Sequence, residues 1–190
     1  DPLGRLDVAV RFNGAGSADV LENGVYKGGD TPYAAGDRFR ISVAGGKIEV
    51  SRNGVKLYAS ARTPVYPLVL DAVLAALDAT VQDAAVQAAP PAPAPGSQAV
   101  AWTGLTNVTA AGATIRKTAG CAGCLDAWAV SSQRLDSGDG WFEFSPGETN
   151  TLWFAGLSRG LGGDPLGRLD VAVRFNGSGS ADVLETGVYK

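Results

Sequence analysis

Apolar and polar residues alternate with a period of two along most of the chain. Over residues 5–13, Leu6, Val8, Val10 and Phe12 share one face, and Arg5, Asp7, Ala9 and Arg11 the other, as in a half-buried strand. Residues 38–43 repeat the pattern with Phe39, Ile41 and Val43, and residues 47–52 with Ile48 and Val50. Gly45-Gly46 and Asn53-Gly54 separate these runs. Asn-Gly between alternating segments is a strong hairpin signal, because both central residues of a type I′ turn need positive φ. Asn53 and Gly54 are therefore assigned to a turn onto 55–60. Asn13-Gly14 and Asn23-Gly24 are read as turns onto 18–22 and 25–27.

Further strands are predicted over 68–70, 79–87, 100–108, 113–117, 127–132, 140–145 and 151–157. The last is expected to pair back on its predecessor across Ser145-Pro146-Gly147. Residues 71–77 have the Ala and Leu content of a helical turn. Their place among strands favours a strand, and they are assigned as one.

Residues 164–190 repeat residues 1–27 with two differences, Ala15/Ser178 and Asn23/Thr186. The offset, 164 − 1, gives a period of 163 residues, about one ordinary domain. The chain is thus expected to be a cut from a tandem array. One compositional break falls inside the period: AAPPAPAPGSQ, with Pro90, Pro91, Pro93 and Pro95. Prolines lock φ and remove amide donors, which predicts a polyproline II spacer about 30 Å long. The expected organisation is residues 1–89 as the C-terminal part of one repeat, 90–99 as a linker, and 100–190 as the N-terminal part of the next. On that division, 28–89 and 100–190 should touch only across an interface.

Composition narrows the function classes. The chain is 45% hydrophobic and only 18% charged, with 26 glycines, which suits an all-β protein with many turns. A net charge of −3 argues against nucleic acid as a partner. No apolar run is long enough for a membrane-spanning helix. Histidine is absent, which removes the usual base near neutral pH and the commonest metal ligand. Low charge, small residues and close repetition point to a secreted or surface protein.

The run from Ala35 to Tyr58, AGDRFRISVAGGKIEVSRNGVKLY, is followed by Tyr66-Pro67-Leu68. With Gly36, Asp37, Asn53, Gly54, Tyr66 and Pro67 at its turning points, it resembles SPRY-like sandwiches. SGDGWFEF (137–144) and NTLWFAGLS (150–158) resemble units of large bacterial surface and secreted proteins. The resemblance implies an antiparallel two-sheet β-sandwich of the jelly-roll, concanavalin A-like kind, in tandem array. It implies little about function, because such sandwiches serve as lectins, adhesion modules and spacers.

The candidate sites are few. Cys121 and Cys124 lie in GCAGC, without the βαβ setting of a redox motif or the further ligands of a zinc site. A short-loop disulfide is expected, against a pair of free thiols. Asp136, Asp139, Glu143 and Glu148 could suggest a calcium loop or an acid/base pair, but they are scattered among turn formers. No catalytic, cofactor or metal residue is assigned. Trp141 and Trp153 are expected to point outward as a cross-strand pair, because Phe142, Phe144, Leu152 and Phe154 are placed inward. Two outward indoles would form an interface with the next repeat or a glycan platform, unless the domain's own loops cover them. The expected function is non-enzymatic: a repeat unit of a bacterial extracellular fibre or adhesin stalk, with neighbouring copies as partners. The rival is a lectin-like module that binds surface glycans by avidity.

Overall fold

A computed structural model describes residues 5–13, 17–22, 25–88, 96–160, 169–176 and 180–186, with side chains over 32–88, 96–160 and at Phe175. Among the described residues every regular element is a strand. They are β1 (Arg5–Asn13), β2 (Ser17–Glu22), β3 (Val25–Pro32), β4 (Phe39–Ala44), β5 (Lys47–Arg52), β6 (Val55–Ala59), β7 (Leu68–Leu74), β8 (Thr80–Ala88) and β9 (Gln98–Ala99). They continue as β10 (Trp102–Thr106), β11 (Val108–Ala111), β12 (Thr114–Lys117), β13 (Ala127–Leu135), β14 (Gly140–Pro146), β15 (Trp153–Ser158), β16 (Leu169–Asn176) and β17 (Ser180–Thr186).

The strands form two sheets. One runs β10-β13-β7-β15-β16-β17-β1-β2-β3, and the other β11-β12-β8-β14-β4-β5-β6 with β9 beside β8. Pairing is antiparallel except between β1 and β16. Phe39, Ile41, Ile48, Val50, Phe142 and Phe144 of the second sheet meet Leu70, Ala129, Trp153, Leu157 and Phe175 of the first in one core. This is a β-sandwich.

The alternation explains these elements well. In β4 and β5 the alternate positions Phe39, Ile41, Val43, Ile48 and Val50 are buried. The β5–β6 turn holds Asn53 at φ 50° and Gly54 at φ 79°, the positive values a type I′ turn demands. In β8 the inward phase shifts. Val81 points in, Asp83 adopts φ 51°, and Ala84 and Val86 are the next buried positions, so an irregularity in the β14 pairing resets the alternation.

Three expectations change. First, residues on both sides of the Pro-rich stretch share both sheets: β14 lies between β4 and β8, and β7 between β13 and β15. Contacts between 28–88 and 100–160 therefore make up the core itself, not an interface. Pro90, Pro91, Pro93 and Pro95 lie outside the described residues. Their flanks are antiparallel neighbours, Val86 opposite Gln98, so the stretch joins adjacent strands and does not hold two bodies 30 Å apart. Second, β14 and β15 do not pair: they lie in opposite sheets. Their inward alternation suits either arrangement, and residues 147–152 carry the chain across the sandwich. Third, the strand expected over 71–77 is present but ends at Leu74: 71–74 belongs to β7, buried on both faces, which is why its apolar run lacks a period of two. Gly14 and Gly24 lie outside the described residues.

Candidate functional site

The surface feature with the most chemistry is the outer face of the second sheet around β4, β5 and β14. Antiparallel register builds it in two rows. Trp141 lies opposite Ser42, which lies opposite Glu49; Glu143 lies opposite Arg40, which lies opposite Ser51, beside Lys56 of β6. With Arg38, Asn53 and Gly54 these residues line a groove of about 620 Å³. Trp141 points outward because Phe142 and Phe144 take the inward positions of β14.

Polar contacts hold the groove in shape. Glu143 Oε2 accepts from Arg40 Nε and Nη2 at 3.0 and 2.8 Å, and the Arg40 guanidinium lies 4.0 Å over the Trp141 ring. A guanidinium that gives two N–H groups to one carboxylate oxygen and stacks on an indole is fixed by both its plane and its charge. Lys56 Nζ donates to Glu49 Oε1 at 3.0 Å. At the rim, Arg38 N donates to Asn53 Oδ1 and Asn53 Nδ2 to Asp37 Oδ1, both at 2.8 Å. A half-buried aromatic capped by Arg40, among paired charges and hydroxyls, can take the polar groups of a sugar or the polar edge of a neighbouring domain.

Trp153 is not part of this surface. It is fully buried, stacked on Phe175 with ring centroids 3.5 Å apart and planes 14° apart, and edge-on to Phe144 at 6.2 Å. The expectation of an outward pair with Trp141 is overturned. It relied on a β14–β15 hairpin and on Phe154 marking the inward phase. In fact both faces of β15 are buried, so Phe154 and Trp153 can each be covered.

The second site of interest is internal, and it escapes sequence reasoning. Lys117 is the last residue of β12 and is completely buried. Its ammonium donates to the carbonyls of Ala75, Cys121 and Cys124 at 2.8–2.9 Å and to Asp126 Oδ1. Asp126 Oδ2 accepts from Cys121 N at 2.9 Å. Cys121 and Cys124 form a disulfide, so the GCAGC loop is closed around the lysine. The Lys117 hydrogen bond, followed by that from Cys121 N, holds the Asp126 carboxyl below its ordinary range. The two sulfurs and Asp126 cluster closely enough to hold a metal ion. Here the sulfurs are bonded to each other, and the cation at the carboxylate is the lysine itself.

The carboxylates singled out in the sequence do not converge. Asp136 pairs with Arg134 at 2.7 Å, Asp139 Oδ1 accepts from Gly45 N, and Glu143 binds Arg40. Glu148 Oε1 accepts from Thr80 N and Thr151 Oγ1. Tyr66 Oη donates to Gly138 O, and Asp139 lies near enough to raise the phenol, though burial raises it more. The Gly-Asp-Gly loop thus packs on the β4–β5 turn and on Tyr66.

No protein-family model matches the sequence, and a search of curated proteins finds no relative.

Proposed function

We propose that this chain is a structural repeat unit of a long extracellular fibre or adhesin stalk, assembled by repeat-to-repeat packing. The carrying observation is the duplication together with its placement. β1 and β16 belong to the two copies, and they pair in parallel with Val8 opposite Val171 through Phe12 opposite Phe175, at the offset of the sequence repeat. Copies of one segment that lie in register in one sheet are a means for successive units to meet. Identical units meeting through identical contacts repeat one rotation and one rise, and head-to-tail contact that does not close gives a filament.

On this reading the sandwich is SPRY-like, of the jelly-roll class, and bacterial; the turning points Gly36, Asp37, Asn53, Gly54, Tyr66 and Pro67 support it. The disulfide supports an oxidising, extracellular location. The reading assigns the unit no reaction and no cofactor. Negative-stain images of a protein carrying several periods test it. Regular filaments with a constant axial repeat are expected; unconnected beads would overturn it.

The outer groove favours a second reading, a lectin-like module in which Arg40, held over Trp141, contacts sugar hydroxyls together with Glu49 and Ser51. A glycan array with Trp141→Ala as control tests it. Binding lost in the variant supports the reading, and no binding by the parent excludes it.

A further inference from the structure

The β15 edge is a single strand position for which the chain carries two fitting strands. One edge of β15 pairs with β7; the other pairs with β16, from Trp153 opposite Phe175 to Ser158 opposite Leu169. Phe175 closes the core there. Its ring stacks on Trp153 and meets Phe39 and Tyr33 edge-on at 5.7 and 5.6 Å. Every residue of Leu169–Asn176 recurs at 6–13, within an unbroken identity of 1–14 with 164–177.

β1 is also oriented to replace β16. It runs parallel to β16 and therefore antiparallel to β15, and it is a second antiparallel neighbour of β17. Its register with β16 matches the repeat, so replacement needs no slip along the strand. In the sheet order β17 stands between β16 and β1, so taking the β15 edge means leaving β17 and crossing two strand positions, each ~4.8 Å wide. After such a shift Phe12 would stand for Phe175, and Val10 for Val173 opposite Ala155.

We propose that the duplicated segment is a shared strand. Residues 6–13 are a second occupant of the β15 edge, interchangeable with Leu169–Asn176, so a segment lying between two successive units completes either the one before it or the one after it. This rests on the reading of the chain as one unit of an array. Both occupants make the same main-chain ladder and bring the same aromatic ring, so exchange trades like contacts for like. Chain connection, not contact energy, then selects the occupant. Such strand addition links units through the fold itself.

Cysteine trapping in the full chain tests this. Facing antiparallel residues have the Cα separation a disulfide needs. Ala155→Cys is combined with Val173→Cys or with Val10→Cys, and cross-linked peptides are mapped by mass. The Val173 pair is expected to form in the parent. Adding Phe175→Asp should make the Val10 pair the major product, in monomer or dimer alike.

Phe175→Asp alone and Phe12→Asp alone should each leave a cooperative melt, because the other copy supplies the ring; the double variant should lose it. Failure of Phe175→Asp alone to fold, or a folded Phe175→Asp chain without the Val10 cross-link, overturns the shared strand. Filaments without the Val10 cross-link would refute this inference and leave the fibre reading standing; the cross-link without filaments would do the reverse.

Discussion

The ammonium of Lys117, with no exposed surface, is held against the Asp126 carboxylate at the end of the sandwich, ringed by the carbonyls of Ala75, Cys121 and Cys124. Ala75 follows β7 in the first sheet, and Lys117 ends β12 in the second, so one side chain braces both layers and the disulfide loop. Lys117→Met keeps the aliphatic stem but strands these acceptors. It should cost about 3 kcal/mol, read as a lower midpoint in urea unfolding.

Acid should release the same brace. The Asp126 carboxyl titrates lower in the folded chain than when unfolded, chiefly because Lys117 donates to it. Its contribution is therefore present above the ordinary carboxylate value, about pH 4, and is lost as pH falls through the depressed folded value. Stability measured between pH 5 and pH 2 should fall less steeply in Asp126→Asn than in the parent.

Reduction should loosen the cage without opening the core. Cys121 and Cys124 close a four-residue loop, for which the chain-entropy relation gives about 2 kcal/mol. Chemical unfolding of the Cys121→Ser/Cys124→Ser variant should show a loss of that size. Core packing around Trp153 should be unchanged, with near-ultraviolet dichroism as the readout.

The two tryptophans should differ in what their loss costs. Trp153→Ala empties a fully buried site and should cost about 3–5 kcal/mol. Trp153→Phe should cost much less, because it removes an indole N–H that is buried without a hydrogen-bond partner. Trp141→Ala lies on the outer face and should stay within about 1 kcal/mol. Thermal melts of the three variants check the order.

Tyr33 makes the fold sensitive to alkali. It packs against Phe39 and Phe175, and burial, with help from Glu148, pushes its phenol well above the ordinary value. A raised folded pKa contributes stability below pH 10 and loses it as pH rises beyond that. Tyr33→Phe should flatten the decline in melting temperature between pH 10 and pH 12.

What could be read from the sequence was whatever depended on local periodicity. The strands of the second sheet from Phe39 to Ala59 follow from alternation and from turns that need positive φ at Asn53 and Gly54. Pairing across the sandwich did not. Residues 140–158 alternate equally well as a hairpin or as two strands in opposite sheets, and only the core shared by Phe144, Trp153 and Phe175 decides. Lys117 escaped for a related reason. A lysine ending a short strand next to solvent-facing Arg116 has the pattern of a surface residue. Its burial depends on carbonyls brought together by Ala75 and the GCAGC loop, which lie far from β12 in the sheet order or are ordered by Asp126. The groove rows were implicit in the strand register, since Arg40, Glu143 and Trp141 are the polar-phase positions of β4 and β14, but the partnership of those strands was not legible.

The connection between β8 and β9 has a practical consequence. Gln98 lies opposite Val86 whatever joins them, and the residue after Val86, Gln87, lies opposite Trp141 of β14. Doubling the length of such a loop costs only about 0.6 kcal/mol in closure entropy. The Pro-rich stretch is thus a port at which a guest peptide could be installed close to the Trp141 groove, one for each 163-residue period of the sequence.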